Sequence, residues 1–245
     1  MKKFILLSCL MISYFSFKPL AVSQVIKPKI TFQEDPQTHN AHIASDGKFY
    51  YTVNGGRANK GQINKFSFDG KLIDSYDFLL DMRSIMYNSK EGKFYICTYE
   101  RDIYRITDMQ QGRYEMVKSK MYENEQANLA MSADGKYIYC FDKGTLQIFK
   151  FPDGKLYKTI TGLDSGKEFI SGSSCVAVDK KHIYTWNTDY KMIFVYDLKG
   201  KKIKTVEISN GNYGFSLSFA NGLIFVADDG DYATGTWYGY DLWSE

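Results

Sequence analysis

The sequence holds few of the side chains that usually carry metal or thiol chemistry: three histidines and four cysteines in 245 residues. Cys9 falls in a segment predicted to be cleaved, which leaves an odd number of cysteines and at least one free thiol. Cys97 and Cys140 occupy equivalent positions of two successive repeats, so their side chains point in the same direction and not at each other. We therefore predict small, buried, apolar cysteines and a fold that does not depend on disulfides.

Long hydrophobic runs are missing after the N-terminus, although a membrane span needs about 18 apolar residues. The N-terminus itself begins with a methionine and two lysines, continues with the apolar segment 4–17 and ends with the small residues Ala21 and Ser23. This is the pattern of a cleaved secretory signal. We expect a signal peptide over 1–23, one domain over 24–245 without a transmembrane segment, and export to the periplasm or the cell exterior.

A surplus of positive charge is also missing. The whole chain has 31 lysines and arginines against 28 aspartates and glutamates. Three of the basic residues and none of the acidic ones lie within 1–23, so the predicted mature chain has no net charge. Binding to nucleic acid phosphates needs a basic surplus, and this composition argues against such a partner. A protein or a glycan is the partner that we expect.

Enzyme motifs that can be recognised from local sequence are absent too: there is no nucleophile elbow, phosphate-binding glycine loop or dinucleotide fingerprint. His39 and His42 are three residues apart, and no third ligand for a metal is evident beside them. His182 stands at a strand position that other repeats fill with apolar or aromatic side chains, which favours a packing role. No cofactor is predicted beyond Ca²⁺, for which one acidic run offers oxygen ligands without the spacing of a helix-loop calcium site: Asp228, Asp229 and Asp231.

What the sequence does contain is a repeat. A turn with a small residue, then a charged residue and a stretch of aromatic and apolar residues, recurs five times. The equivalent positions are Gly47, Gly92, Gly135, Lys180 and Asn221, at intervals of 45, 43, 45 and 41 residues. A period of roughly 40–45 residues that is rich in short strands is typical of β-propeller blades.

The third repeat shows the plan of one blade. Alternating and aromatic-rich segments predict strands over 129–132, 137–141, 145–151 and 156–160, separated by turn residues. Large residues recur at one position of the third strand, where they would pack one blade against the next: Phe66, Tyr104, Phe149, Tyr196 and Tyr240. A four-stranded antiparallel meander is therefore predicted for each repeat.

The fifth repeat lacks a fourth strand, because the sequence ends soon after the segment 236–242. The segment 25–32 could supply that strand, and propellers commonly close by pairing the two chain ends. We predict an all-β fold: one propeller of five four-stranded blades, closed by the N-terminal strand. A fragment of a six- or seven-bladed propeller is the alternative.

The segments 46–54 and 61–66 of the first repeat resemble the YVTN-type propeller repeat, and 193–198 is similar to the third strand of that family. The Trp-Asp ending of true WD repeats is absent, because a tyrosine precedes both Asp197 and Asp241. The resemblance implies a bacterial, exported propeller of the YVTN or WD-repeat-like class, used as an interaction platform.

Loops at one end of a propeller surround its central channel and commonly carry the binding site. A polar residue recurs seven positions after the repeat reference in four of the five blades, although asparagine and aspartate are also common as turn caps. The candidate ligand-binding residues, taken from this ring and from the loops that enter the inner strands, are His39, His42, Asn54, Arg83, Glu125, Asp142, Asn187, Tyr213 and Asp228.

Two functions fit this sequence. We expect a non-enzymatic binding module that presents these loops to a protein or a glycan. The alternative is an enzyme, a lyase or a hydrolase that works at the channel mouth and could depend on a divalent ion. The enzyme requires at least two carboxylates, or a histidine and carboxylate cluster, within hydrogen-bond reach in one pocket.

Overall fold

The computed structural model describes residues 25–243, and the predicted signal segment 1–23 lies outside them. Five four-stranded antiparallel sheets are arranged as blades around a central axis, so the predicted five-bladed propeller is confirmed. The strands of blades 1 to 3 are β2 (His39–Ser45), β3 (Tyr50–Gly55), β4 (Gln62–Phe66) and β5 (Leu72–Asp77); β6 (Met82–Asn88), β7 (Lys93–Thr98), β8 (Ile103–Asp108) and β9 (Arg113–Lys118); and β10 (Leu129–Met131), β11 (Tyr137–Asp142), β12 (Thr145–Lys150) and β13 (Leu156–Thr161). Blades 4 and 5 comprise β14 (Ala177–Val178), β15 (His182–Asn187), β16 (Met192–Asp197) and β17 (Lys202–Glu207); and β18 (Ser218–Ala220), β19 (Leu223–Asp228), β20 (Gly235–Tyr240) and the closing strand β1 (Ile30–Glu34). Two short 3-10 helices, Ala58–Lys60 and Phe169–Ser171, lie in loops.

The ring closes by the predicted pairing of the chain ends. Strand β1 is antiparallel to β20, with Ile30 opposite Gly239 and Glu34 opposite Gly235. The N-terminal strand therefore supplies the fourth strand of blade 5, and that blade needs no external partner.

The closing strand is held by the buried carboxylate of Glu34, which is 5% exposed. Its Oε1 accepts hydrogen bonds from Thr52 and from Nδ2 of Asn64 at 2.7 Å, and its Oε2 accepts from Nε1 of Trp237 at 2.5 Å and Nδ2 of Asn40 at 3.2 Å. Burial raises the pKa of Glu34, although these four donors oppose the shift. One side chain thus ties the first and last blades together.

The recurring turn has a physical cause. In blade 1 the carboxylate of Asp46 accepts hydrogen bonds from the backbone N–H groups of Lys48 and Phe49, both at 2.8 Å. In blade 4 Asp179 does the same for Lys181 and His182, both at 2.6 Å. In these two blades the acidic residue fixes the reversal between the first two strands. An acidic residue stands at this position in four of the five blades.

Apolar packing lies between the blades, as the aromatic columns predict. There are five clusters of buried apolar side chains in the described part of the chain, one for each pair of neighbouring blades. Phe66, Phe149, Tyr196 and Tyr240 are buried in them. All three cysteines of residues 25–243 are buried and free, so the prediction made for them is confirmed.

The inner strands run along the axis and define two ends. We call the end at which they begin the upper mouth and the end at which they turn into the second strands the lower mouth. Between the two, Asn128 closes the channel: its Nδ2 donates to the carbonyls of Ala41 at 3.1 Å and Arg83 at 2.7 Å, and its Oδ1 accepts from Sγ of Cys175 at 3.3 Å. A single side chain of blade 3 can contact blades 1, 2 and 4 only on the axis. The two mouths are therefore separate.

Within residues 25–243, the structure contains no helix of the length and apolarity that crossing a membrane requires.

Candidate active site at the upper mouth

A histidine and a carboxylate meet at the upper mouth. His39 begins the inner strand β2, and Asp229 directly follows β19 of the neighbouring blade 5. Nδ1 of His39 lies 2.6 Å from Oδ2 of Asp229, whose Oδ1 accepts the backbone N–H of Asn40 at 3.2 Å. The hydrogen bond to Asp229 raises the pKa of His39, and partial burial opposes this shift. Nε2 of His39 has no protein partner within the described residues, so it is the nitrogen that can exchange a proton.

Asp231 adds a second carboxylate to this pair. One ligand atom each from His39, Asp229 and Asp231 lies within 4.8 Å of the others. Asp231 is exposed, and both Asp231 and Tyr232 have positive φ angles, 46° and 70°. Two successive non-glycine residues in this region carry strain of about 1–3 kcal/mol each, which is a feature of functional loops. The loop is held by a hydrogen bond from the backbone N–H of Tyr232 to the carbonyl of Thr38 at 3.1 Å.

These three residues are of the kinds that hold Zn²⁺ or Mn²⁺ in catalytic sites. The spacing, however, is that of a hydrogen bond. Two ligand atoms on one tetrahedral Zn²⁺ stand roughly 3.3 Å apart, whereas Nδ1 of His39 and Oδ2 of Asp229 are 2.6 Å apart. Nδ1 of His39 and Oδ2 of Asp229 therefore do not both bind one ion at this spacing, and Nε2 of His39 remains free for a proton or for a metal ion.

Aromatic rings wall the histidine. The ring of His39 stacks on Tyr213 at 5.7 Å between centroids and meets the edge of Tyr232 at 4.8 Å. Burial strongly raises the pKa of Tyr213, which keeps its hydroxyl protonated. Gly56 lies on the ring's other side with a φ of 108°, and a Cβ at this position would be 2.8 Å from Cδ2 of His39. Glycine at position 56 thus leaves space for the imidazole of His39, and any other residue there would reduce that space.

The guanidinium of Arg83 lies on the other side of the loop that contains Gly56. Arg83 follows the start of β6, and its Nη2 is 3.5 Å from Oδ2 of Asp81. Asp81 Oδ1 accepts the backbone N–H of Gly56 at 2.7 Å, and Arg83 also covers the ring of Tyr99 at 5.0 Å. The side chain is 10% exposed and its Nε has no hydrogen-bond partner among the described residues. An arginine that is so buried and only partly satisfied is a candidate to neutralise negative charge on a bound molecule.

Polar groups also lie below the mouth, where the loops enter the inner strands. Buried hydroxyl groups without a hydrogen-bond partner in residues 25–243 belong to Thr98, Ser173, Ser174 and Ser216. Hydroxyls of this kind are usually satisfied by water or by a ligand. These buried hydroxyls and the side chain of Asn128 make the interior of the ring polar at this end.

The polar residues seven positions after the repeat reference form hydrogen bonds with nearby loop groups. Asn54 is buried, donates to the carbonyls of Pro36 at 2.5 Å and Lys60 at 2.7 Å, and accepts from the backbone of Gln62. Asn187 accepts the backbone N–H of Tyr190 at 3.2 Å.

The two acidic members of that position behave similarly. Asp142 accepts from Nδ2 of Asn124 at 2.8 Å, and Asp228 accepts the hydroxyl hydrogen of Tyr238 at 2.8 Å. The four residues support loops and do not converge on the axis.

The remaining candidates divide between the two ends. His39, Arg83 and Tyr213 come together at the upper mouth with Asp229 and Asp231. Glu125 is half-buried in the loop that precedes β10 and takes part in none of the hydrogen bonds of this cluster within the described chain. His42 lines a cavity at the lower mouth.

Sequence reasoning missed Asp81, Tyr232 and Gly56. The available signal was positional: Asp81 immediately precedes an inner strand, and Tyr232 lies in one of the two longest second-to-third-strand loops, together with Asp229 and Asp231. Only the fold shows that these loops meet at His39.

No protein-family model and no curated protein matches the sequence. Among solved structures, the crystal structure of Myxococcus xanthus glutaminyl cyclase is similar to this chain, with a TM-score of 0.60 and 12% sequence identity. The similarity covers 89% of this chain and 97% of that one. At this identity it establishes the fold alone, since one fold can carry many functions.

The prediction of a non-enzymatic binding module is wrong. The similar propeller is an enzyme, so a five-bladed ring of this size is a scaffold for catalysis as well as for binding. The upper mouth also supplies the histidine and carboxylate cluster that an enzyme requires, because His39 and Asp229 are within hydrogen-bond reach of each other and Asp231 lies beside them. The alternative, an enzyme at the channel mouth, is better supported.

Proposed function

We propose that this protein is an enzyme that performs acid–base chemistry at the upper mouth, with His39 as the catalytic base. The observation that carries this proposal is the 2.6 Å contact between His39 and Asp229 at the upper mouth. Asp229 holds the proton on Nδ1, which leaves the lone pair of Nε2 available. Asp229 is thus a positioning residue for the base.

The surroundings favour a substrate with an amine. The carboxylate of Asp231 is exposed, has no ion-pair partner among the described residues and stands beside His39. This carboxylate can receive an ammonium group through charge-assisted hydrogen bonds. Because Asn128 blocks the channel on the axis, a chain cannot pass through it, and we propose the amino terminus of a peptide as the group that binds.

A peptide with an N-terminal glutamine is the first substrate to test, because the similar propeller is a glutaminyl cyclase. In such a cyclisation the α-amine nitrogen attacks the carbon of the side-chain amide, and a C–N bond forms. His39 accepts the proton that the amine loses and returns it to the departing amide nitrogen, which leaves as ammonia. The guanidinium of Arg83 would balance the negative charge that develops on the amide oxygen.

The assay measures ammonia release and the mass loss of a glutaminyl peptide, with the same peptide carrying N-terminal asparagine and an N-acetylated copy as controls. We expect turnover of the free glutaminyl peptide alone. No turnover of the free glutaminyl peptide, together with no turnover of a panel of amine-bearing esters and amides, would contradict acid–base catalysis at this mouth.

A metal-dependent hydrolase is the second candidate, and the convergence of His39, Asp229 and Asp231 is the observation that favours it. These residues would hold the ion, and the ion would supply a hydroxide nucleophile near neutral pH. Treatment with EDTA distinguishes the two functions. Acid–base catalysis by His39 predicts activity unchanged within about twofold and no stoichiometric Zn²⁺ or Mn²⁺ in the purified protein, whereas loss of activity that Zn²⁺ or Mn²⁺ restores would favour the hydrolase.

Substitution of Gly56 by alanine is expected to reduce kcat/KM by about tenfold to a hundredfold, because displacement of the reactive ring by an ångström has an effect of that size. The added Cβ would stand 2.8 Å from the His39 ring. Gly47→Ala is the matched control: its φ is 86° and nothing lies within 4 Å of the new Cβ. Both variants should lose about 1 kcal/mol of stability, and only Gly56→Ala should lose activity. Equal activity of the two would show that His39 need not hold its present position.

We also infer that the protein is exported and belongs to the YVTN or WD-repeat-like class. The basic start and apolar segment within 1–23 support export, and the repeats at 46–54 and 193–198 support the class. Sequencing of the N-terminus of the protein from a bacterial expression host should find Gln24 as the first residue. An intact residue 1 in the extracytoplasmic fraction would contradict cleavage at this site.

A further inference from the structure

The hydroxyl of Tyr213 is a polar group at the upper mouth that has no role in the reaction described so far. Tyr213 lies in the loop that leads into β18. Its ring stacks on the imidazole of His39, with 5.7 Å between centroids and 17° between planes, and Phe215 meets the same ring edge to face at 5.4 Å. Two ring contacts thus fix the phenol beside the proposed base, and its position does not depend on the hydroxyl.

This hydroxyl also lacks a hydrogen-bond partner, although a buried tyrosine usually has one. Elsewhere in the propeller the hydroxyls of Tyr184, Tyr196 and Tyr238 donate to carboxylates at 2.7–2.8 Å. The hydroxyl of Tyr213 has no such acceptor within residues 25–243. It is not one of the fully enclosed polar groups of this part of the chain, so a bound molecule can reach it.

The charged groups around this hydroxyl are those of the proposed site. Burial strongly raises the pKa of Tyr213, Asp229 and Asp81 add to the shift, and Arg83 opposes it. The hydroxyl is therefore protonated at neutral pH and acts as a hydrogen-bond donor. A neutral donor that shares its surroundings with a guanidinium is suited to hold an oxygen on which negative charge develops.

The distance between the two stacked rings suits a reacting amide. Roughly 5–8 Å separates a group that holds the attacking nitrogen from one that holds the amide oxygen, because each hydrogen bond spans about 2.9 Å. The centroids of His39 and Tyr213 are 5.7 Å apart. The base and the donor can thus contact one reacting centre from neighbouring positions.

We propose that Tyr213 is a catalytic residue that donates a hydrogen bond to the amide oxygen of the substrate, together with the guanidinium of Arg83. The inference rests on the cyclisation proposed above. When the amine nitrogen attacks the amide carbon, an electron pair of the C=O bond moves to the oxygen, where the two donors stabilise it. The pair returns when the bond to the departing nitrogen breaks. Tyr213 keeps its proton throughout, and His39 carries the proton of the amine to ammonia.

Tyr213→Phe removes the hydroxyl and keeps the ring that stacks on His39. We expect kcat on the glutaminyl peptide to fall by about 10²- to 10³-fold, with KM changed by less than about threefold. The melting temperature should stay within about 2 °C of the wild type, because the hydroxyl bonds to no group of the described chain. Tyr190→Phe, on a ring that is 70% exposed at the same end, is the control and should leave kcat and KM unchanged. A fall in kcat of less than about tenfold in Tyr213→Phe would overturn the proposal.

A binding measurement separates this proposal from the proposed function. A peptide with N-terminal glutamate places a charged carboxylate where the glutaminyl peptide has its amide. Isothermal titration should show binding that weakens by about tenfold or more in Tyr213→Phe and stays unchanged in Tyr190→Phe. If this difference is found without turnover of the glutaminyl peptide, Tyr213 is a donor to a bound oxygen and only the cyclisation is wrong. Turnover with equal kcat in the wild type and Tyr213→Phe leaves the cyclisation standing and refutes the donor. Neither binding nor turnover in the wild type would overturn both.

Discussion

Asp229→Asn should lower kcat/KM for the proposed reaction by about a thousandfold, while the protein keeps its fold. Asparagine has nearly the same shape, but it no longer favours the proton on Nδ1 of His39, and loss of a correctly oriented base has effects of 10²- to 10⁴-fold. The measurement is the rate on the glutaminyl peptide, together with a thermal melt. Asp189→Asn removes an exposed carboxylate from another loop at the same end and serves as the control. A loss of less than about tenfold in Asp229→Asn would contradict the role of His39.

The pH dependence of kcat/KM provides a second test of the His39–Asp229 pair. A base must be neutral to act, so activity should rise with pH through the pKa of His39. The hydrogen bond to Asp229 holds that pKa above the usual 6.5. The acidic limb of kcat/KM should therefore lie above this value in the wild type and move to lower pH in Asp229→Asn. A limb that does not move would show that another group titrates.

The largest effect on stability is expected from Glu34→Ala, which should reduce the free energy of unfolding by about 3–5 kcal/mol. The variant leaves four buried donors without an acceptor, on Thr52, Asn64, Trp237 and Asn40. Urea unfolding measures the loss. Glu115→Ala, at a half-exposed ion pair on the outer strand β9, is the control and should cost less than about 1 kcal/mol.

The ionisation of Glu34 should also make the stability of the protein depend on pH. Burial raises its pKa above the usual 4.5, so the folded protein holds this proton more tightly than the unfolded chain. Its contribution to stability is therefore complete below pH 4.5 and declines as the pH rises through the raised pKa. The difference in stability between the wild type and Glu34→Gln should shrink over the same rise. A difference that grows with pH would mean that the carboxylate is held ionised.

The architecture was predictable because it repeats. Five copies of a turn followed by a strand of aromatic and apolar residues make the strand assignment less ambiguous than a single copy would. The strands of the third repeat are found within a residue or two of their predicted bounds. Chain closure was predictable for a simple reason: one repeat lacked a strand and the N-terminus offered one.

The site was less predictable, because its residues belong to different blades and lie 190 positions apart in the case of His39 and Asp229. Closeness in sequence was misleading. His39 and His42 are separated by three residues of a strand that runs along the axis, which spans about 10 Å. One of them therefore stands at the upper mouth and the other lines the cavity at the lower mouth.

Because of Asn128, the central channel of the propeller is closed and does not run from one end to the other. A polymer cannot pass through a ring whose axis is crossed by the side chain of Asn128, so any molecule that binds beside His39 has to arrive and leave at the upper mouth. Chain ends can do this, whereas the interior of a long chain cannot without a sharp bend.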